Sequence, residues 1–125
     1  MTQYIGILPS GSYMTPGDTL DTQGQTLGEL SFDANGNIVL YSPVGTRVAS
    51  FGLTSAAGSI WMNLDGNLCV YRASDSVCVW ALNGRCPLVA GAWLRIVSQG
   101  LEIRKPSQAQ EGDLVYTLFA NALMP

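Results

Sequence analysis

The chain has 125 residues, a net charge of −3 and only 12% charged residues, a length that suits one domain with a core of its own. Its six basic residues, Arg47, Arg72, Arg85, Arg95, Arg104 and Lys105, are scattered along the sequence, which excludes the basic stripe that nucleic acid or an anionic membrane surface needs. Histidine is absent, and with it go Ser-His and Cys-His catalysis and the commonest metal ligand.

Cys69, Cys78 and Cys86 cannot all pair within the chain and form no Cys-x-x-Cys cluster, so the sequence predicts neither a metal site nor a cofactor. Fourteen glycines among abundant Thr, Ser, Val and Leu are the usage of an all-β fold rich in tight turns. No apolar run approaches the roughly 20 residues of a membrane helix, and "MTQYIGILPSG" offers no leader-like apolar region. The expectation is a chain without membrane insertion, cytoplasmic or exported without a leader.

In chain order, "ILPSGSYMTPGDTL" (residues 7–20) carries two Pro/Gly turns between short strands and is expected to supply the strands missing from the segment that follows. That segment, "LSFDANGNIVLY" (residues 30–41), alternates apolar and polar residues around Asn35-Gly36. Such a pair predicts a two-residue hairpin with positive φ at both central positions. After the loop "SPVGT" comes another short strand, "RVASF". The plan then repeats: "WMNLDGNLCVY" (residues 61–71) turns at Asp65-Gly66, and "RASDS" leads into "VCVWAL". A third segment, "AWLRIVSQGLEIRK" (residues 92–105), turns at Gln99-Gly100. There the positions of Asn and Tyr are taken by Leu101 and Lys105 or by Gly100 and Arg104, depending on the alignment, so it carries no site. The tail "DLVYTLFANAL" (residues 113–123) is the candidate last strand. Residues 1–125 thus read as a single domain of three internal repeats, each of about four short strands. Trp61, Trp80 and Trp93 are candidates for its centre, with sugar stacking as the competing role.

The repeated frame resembles the signature Gln-x-Asp-x-Asn-x-Val-x-Tyr of the bulb-type mannose-binding lectins, the B-lectin domain first known from monocot plants. The resemblance covers nearly the whole chain, including "SGSYMTPGDTL" and "VWAL" around Trp80, whose counterpart in that family points to the central axis. It implies a β-prism II: three four-stranded antiparallel sheets with pseudo-three-fold symmetry. In the second segment Asn63, Asp65, Asn67, Cys69 and Tyr71 fall on the signature, and in the first Asp33, Asn35, Asn37, Val39 and Tyr41 do. The family's roles then imply Asp and Asn on the 2-hydroxyl of mannose, Gln on the 3-hydroxyl, Tyr on the 4-hydroxyl and Val against the ring carbons. Cys69 would keep the apolar contact of Val as a reduced thiol against the sugar. The family's internal disulfide starts from the hairpin turn, and those positions here are Gly36 and Gly66, so the resemblance carries no disulfide over.

Sugar hydroxyls are donors and acceptors at once and suit short, pre-oriented polar side chains beside a turn. About four hydrogen bonds at roughly 0.5–1.5 kcal/mol each, less ordering costs, give a Kd of about a millimolar per site. The expected function is a non-enzymatic lectin for mannose or mannosylated glycans with up to two sites per chain. The alternative is a protein-interaction or structural β-prism module that has lost sugar binding. Hydrolysis by Glu102, Glu111 and Asp113 lacks an apolar setting to raise a carboxyl pKa. Weak sites gain from linkage, and the resemblance implies a homodimer formed by exchange of the C-terminal strand, for which the terminal apolar strand is the candidate because an unpaired edge invites association.

Overall fold

A computed structural model of the chain describes residues 3–21, 28–42, 44–51, 53, 55–83, 86–97, 100–108 and 112–118. Among them run short strands and no helix: β1 (Gln3–Ile5), β2 (Ile7–Leu8), β3 (Tyr13–Met14), β4 (Thr19–Asp21), β5 (Glu29–Phe32), β6 (Ile38–Tyr41), β7 (Arg47–Ser50), β8 (Ala57–Met62), β9 (Leu68–Arg72), β10 (Cys78–Ala81), β11 (Trp93–Val97), β12 (Gly100–Lys105) and β13 (Asp113–Leu118). They pair into three sheets, in the orders β1-β4-β5-β6-β7, β10-β9-β8-β3 and β13-β12-β11-β2. Each is a four-stranded antiparallel ladder. The first also carries β1 as a fifth strand, parallel to β4, an addition to the expected four.

Period-two alternation assigns the core. In the first sheet Leu30 faces Leu40 and Phe32 faces Ile38; in the second Ile60 faces Val70 and Met62 faces Leu68; in the third Leu94 faces Ile103 and Ile96 faces Leu101. All twelve belong to one buried cluster, so the three sheets enclose a single apolar interior and repeat each other's pattern around it.

The N-terminal run is distributed differently from the sequence expectation. Only β4 joins the first segment's sheet; β3 pairs with β8 and β2 with β11. Leu20, Met14 and Leu8 stand opposite Leu30, Ile60 and Leu94, and all three are fully buried. The physical reason is the turn spacing. Gly11 and Gly17 hold left-handed φ of 83° and 99° and let the run bend around the core, laying one short strand on each face.

The hairpins also differ from the expected two-residue turn. Gly36 N–H donates to Asp33 O (3.1 Å) and Asp33 N–H to Asn37 O (2.9 Å); Asn63, Gly66 and Asn67 repeat the arrangement at 3.0 and 2.9 Å. Gly36 and Gly66 have positive φ, of 82° and 92°, whereas Asn35 and Asp65 do not. Each loop therefore holds three residues, a type I turn followed by a left-handed glycine. Carboxylates decide it: Asp33 Oδ1 accepts from the backbone N–H groups of Asn35 and Asn37, both at 2.9 Å, and Asp65 Oδ1 from that of Asn67 at 2.9 Å. Those Asx bonds stabilise the type I geometry.

Of the three tryptophans, Trp80 alone takes the central role. It is 6% exposed and meets Phe51 edge-on with centroids 4.8 Å apart. Trp61 and Trp93 are half-buried on the outer faces, because their neighbours Ile60, Met62 and Leu94 occupy the inward positions. β13 pairs with β12 of its own chain from Leu101↔Leu118 to Lys105↔Asp113. Residues 119–123 of the expected last strand, Gln99, Arg85 and Glu111 lie outside the described residues.

Candidate functional site

The three sheets share an inside and differ outside. Across the second sheet the outward row reads Tyr13, Trp61, Cys69 and Ala81. Across the first, the equivalent row reads Thr19, Ser31, Val39 and Ser50, and across the third Ile7, Arg95, Glu102 and Thr117. Thus one face is aromatic, one hydroxyl-bearing and one charged.

The aromatic face holds an open cavity of about 390 Å³ lined by Ser59, Trp61, Asn63, Tyr71 and Ser76. Ser59, Trp61 and Asn63 alternate along β8 and its end, so all three look outward, and Tyr71 lies beside them, paired with Ser59. The loop from β9 to β10 closes on itself through Arg72 N–H to Val77 O (2.8 Å) and Ser76 N–H to Arg72 O (2.9 Å). The Arg72–Asp75 ion pair, at 2.6 Å, braces it. Ser76 adopts a φ of 60° there and presents itself at the rim, a left-handed conformation that non-glycine residues seldom take.

Asn63 and Tyr71, two of the residues picked out by the repeated frame, therefore line the cavity. Cys69 lies behind them: it is 4% exposed and accepts a bond at 3.4 Å from the Asn63 side-chain amide. Tyr71 stands beside this pair, close enough for both Asn63 and Cys69 to influence its hydroxyl. Burial pushes the Tyr71 hydroxyl up from its ordinary pKa, with the Asn63 amide acting in the opposite direction. Burial likewise raises the Cys69 thiol. Both groups accordingly stay protonated at neutral pH, Tyr71 as a hydrogen-bond donor and Cys69 as a packed thiol of low nucleophilicity. All three cysteines are free.

Asp65 and Asn67 sit in the turn rather than at the cavity. Asp65 caps the Asn67 N–H as described above, and Asn67 Oδ1 accepts from the Asn83 backbone N–H at 3.0 Å. On the first sheet the five expected residues are gathered around the equivalent hairpin. Asp33 is the hub: besides its two backbone bonds, its Oδ2 accepts from the Asn37 side chain at 3.3 Å. The Asn37 backbone bond, ahead of those from the Asn37 side chain and Asn35, holds the Asp33 carboxyl below the usual carboxylate range. Val39 is buried and Tyr41 half-buried. The third face places Arg104 against Glu102 at 2.9 Å and against the Gly112 carbonyl at 3.4 Å.

No family model and no curated protein matches the chain. Solved structures do. A lectin of Marasmius oreades aligns with TM-score 0.73 at 20% identity, over 98% of each chain. A monomeric monocot mannose-binding lectin of Gastrodia elata aligns at 0.67 and 20%, over 90% of this chain and 96% of its own. The mannose-specific agglutinin of snowdrop (Galanthus nivalis) bulbs, solved with methyl-α-D-mannoside, aligns at 0.61 and 24%, over 86% and 95%. The chain has the fold of these lectins.

Within that β-prism II the sequence frame found Asn63 and Tyr71 but not Ser59, Trp61 or Ser76. Two of the omissions were within reach, since stepping back by twos from Asn63 along the strand gives Trp61 and Ser59 on the same face. Ser76 carried no signal; its place follows from a backbone conformation that sequence does not announce.

Proposed function

We propose that this β-prism is a non-enzymatic lectin whose second sheet binds mannose or a mannose-containing glycan. The observation that carries the reading is the convergence of Asn63 and Tyr71, with Cys69 behind them, on an open cavity that also has an aromatic side. An amide, a phenol and two serine hydroxyls supply donors and acceptors in fixed positions, the complement of a sugar's hydroxyls. The solved structures from Gastrodia elata and snowdrop, of the same fold, are described as mannose-binding and mannose-specific. Asp65 and Asn67 hold the turn beside the cavity, and Asp33, Asn35, Asn37, Val39 and Tyr41 form the second of up to two sites. Of the carboxylates weighed for hydrolysis, Glu102 is paired with Arg104.

Titration with methyl α-mannoside, followed by NMR of the full chain, tests this. The second sheet is expected to saturate with a Kd of about a millimolar. Tyr71→Phe and Asn63→Ala each remove one hydrogen bond of about 0.5–1.5 kcal/mol and should weaken binding roughly two- to tenfold. Cys69→Val should retain it. Unperturbed signals of Asn63 and Tyr71 at saturating sugar would overturn the assignment.

A second reading, an interaction module without sugar binding, draws support from the same turns, where Asp33, Asp65 and Asn67 are engaged by backbone bonds. Failure of every mannoside to bind would favour it. For assembly we retain the homodimer formed by exchange of the C-terminal strand. In the single chain β13 supplies in cis the pairing that an exchanged strand supplies in trans. Light scattering at micromolar concentration is expected to give twice 13.3 kDa; a monomer mass of 13.3 kDa, with the chain still monomeric when residues 113–125 are removed, would overturn the exchange.

A further inference from the structure

Tyr13 and Trp61 are cross-strand partners whose rings stack with centroids 4.2 Å apart and an interplanar angle of 16°. A stack that close covers one face of the indole. On the other side of Trp61 in the same row comes Cys69, which is buried, and on that side opens the cavity lined by Trp61, Asn63 and Tyr71. The indole therefore stands as a wall, with Tyr13 as its buttress. Tyr13 is itself fixed through its backbone, where its carbonyl accepts from the Tyr4 hydroxyl at 2.9 Å. Neither aromatic ring is required by the core, since Ile60 and Met14 occupy the inward positions of the same two strands. Equivalent positions on the first sheet are Thr19 and Ser31, and on the third Ile7 and Arg95, so the wall belongs to this one face.

We propose that Trp61 stacks against the sugar ring, that Tyr13 is a positioning residue for it, and that the site prefers a β-linked mannoside to the α-anomer. The inference rests on the sugar-binding reading above and narrows its ligand. An aromatic face is electron-rich and attracts the weakly positive C–H groups of a flat apolar surface. In a mannopyranoside chair the axial 2-hydroxyl makes one face polar. The opposite face carries the axial hydrogens of C3 and C5, and C1 adds a third hydrogen only when its glycosidic oxygen is equatorial, as in the β-anomer. In the α-anomer the axial oxygen interrupts that face. A ring laid on Trp61 keeps its equatorial hydroxyls at its rim, where Asn63, Tyr71, Ser59 and Ser76 stand.

The test compares methyl β-mannoside with methyl α-mannoside by NMR titration of the full chain. Wild type is expected to prefer the β-anomer by about threefold to tenfold, the range that an aromatic contact supplies. Trp61→Leu should bring the ratio to about one while α-mannoside still binds. Tyr13→Leu should lower the ratio and Tyr13→Phe restore it, because stacking needs the ring and not the hydroxyl. Should Trp61→Leu fail to fold, Trp61→Phe retains a smaller flat wall and should give an intermediate ratio. A wild-type ratio of one, a preference for the α-anomer, or a ratio that survives Trp61→Leu overturns the wall and leaves the sugar site standing. Binding of neither anomer overturns both.

Discussion

Replacing Gly66 by alanine is expected to destabilise the protein by about 2–4 kcal/mol, among the largest effects a methyl group can have here. Two costs combine. Gly66 has a φ of 92°, a left-handed conformation that costs an L-residue about 1–2 kcal/mol. Its β-carbon would also lie against the Val89 carbonyl oxygen and 2.6 Å from the Val89 nitrogen, and this neighbour is backbone, which cannot rotate away. The hairpin tip is moored at the same place by a bond from Gly91 N–H to Leu64 O at 3.0 Å. Gly36 repeats the situation against the Ala57 nitrogen at 2.8 Å, so Gly36→Ala should cost a similar amount. Gly45 separates the two costs: its φ is 87° but no atom lies within 4 Å of its β-carbon position. Gly45→Ala should therefore lose only the conformational part. Urea denaturation of the three variants checks this. If Gly66→Ala proves no worse than Gly45→Ala, the close approach of turn and backbone does not constrain the fold.

The same glycines show how much of this molecule could be read from its sequence. Asn35-Gly36 and Asp65-Gly66 placed both hairpins, and alternation announced the strands on either side of them, because turn chemistry and period two are local properties. Which loop geometry formed was not legible. It depended on the Asp33 and Asp65 side chains capping the backbone, a competition that the dipeptide alone does not reveal. Trp61 was left between two roles for the opposite reason: aromatic bulk argued for the centre over the competing sugar stacking, while the parity of its position, one step from Ile60 and two from Asn63, had already turned it outward beside the frame residues. Least legible was the course of residues 7–20. Pairing of β2 with β11 and of β3 with β8 joins residues far apart in the chain, and two-residue strands carry too little pattern to name their partners.

That distributed N-terminal run leads to the other large effect. Leu8→Ala is expected to cost about 2–5 kcal/mol, the usual range for a leucine truncated in a closed core. Leu8 is fully buried and faces Leu94 across the third sheet, although it belongs to a strand of two residues. Met14 and Leu20 hold the equivalent positions in the other two sheets, and pseudo-three-fold packing predicts comparable losses for Met14→Ala and Leu20→Ala. Against a total stability of about 5–15 kcal/mol for a domain, any two of these together should prevent folding. Ile7 provides the control: it is the neighbour of Leu8 in the same strand but is 38% exposed and faces outward, so Ile7→Ala should stay within about 1 kcal/mol of wild type. The transition should be followed by far-UV circular dichroism for the strands and by tryptophan emission, which senses Trp80 in the core. For Leu8→Ala the two signals should shift together to lower urea, since a lesion in a core shared by three sheets is felt by all of them. A loss no greater than that of Ile7→Ala would mean that β2 is an appendage, and that the third sheet closes the interior without it.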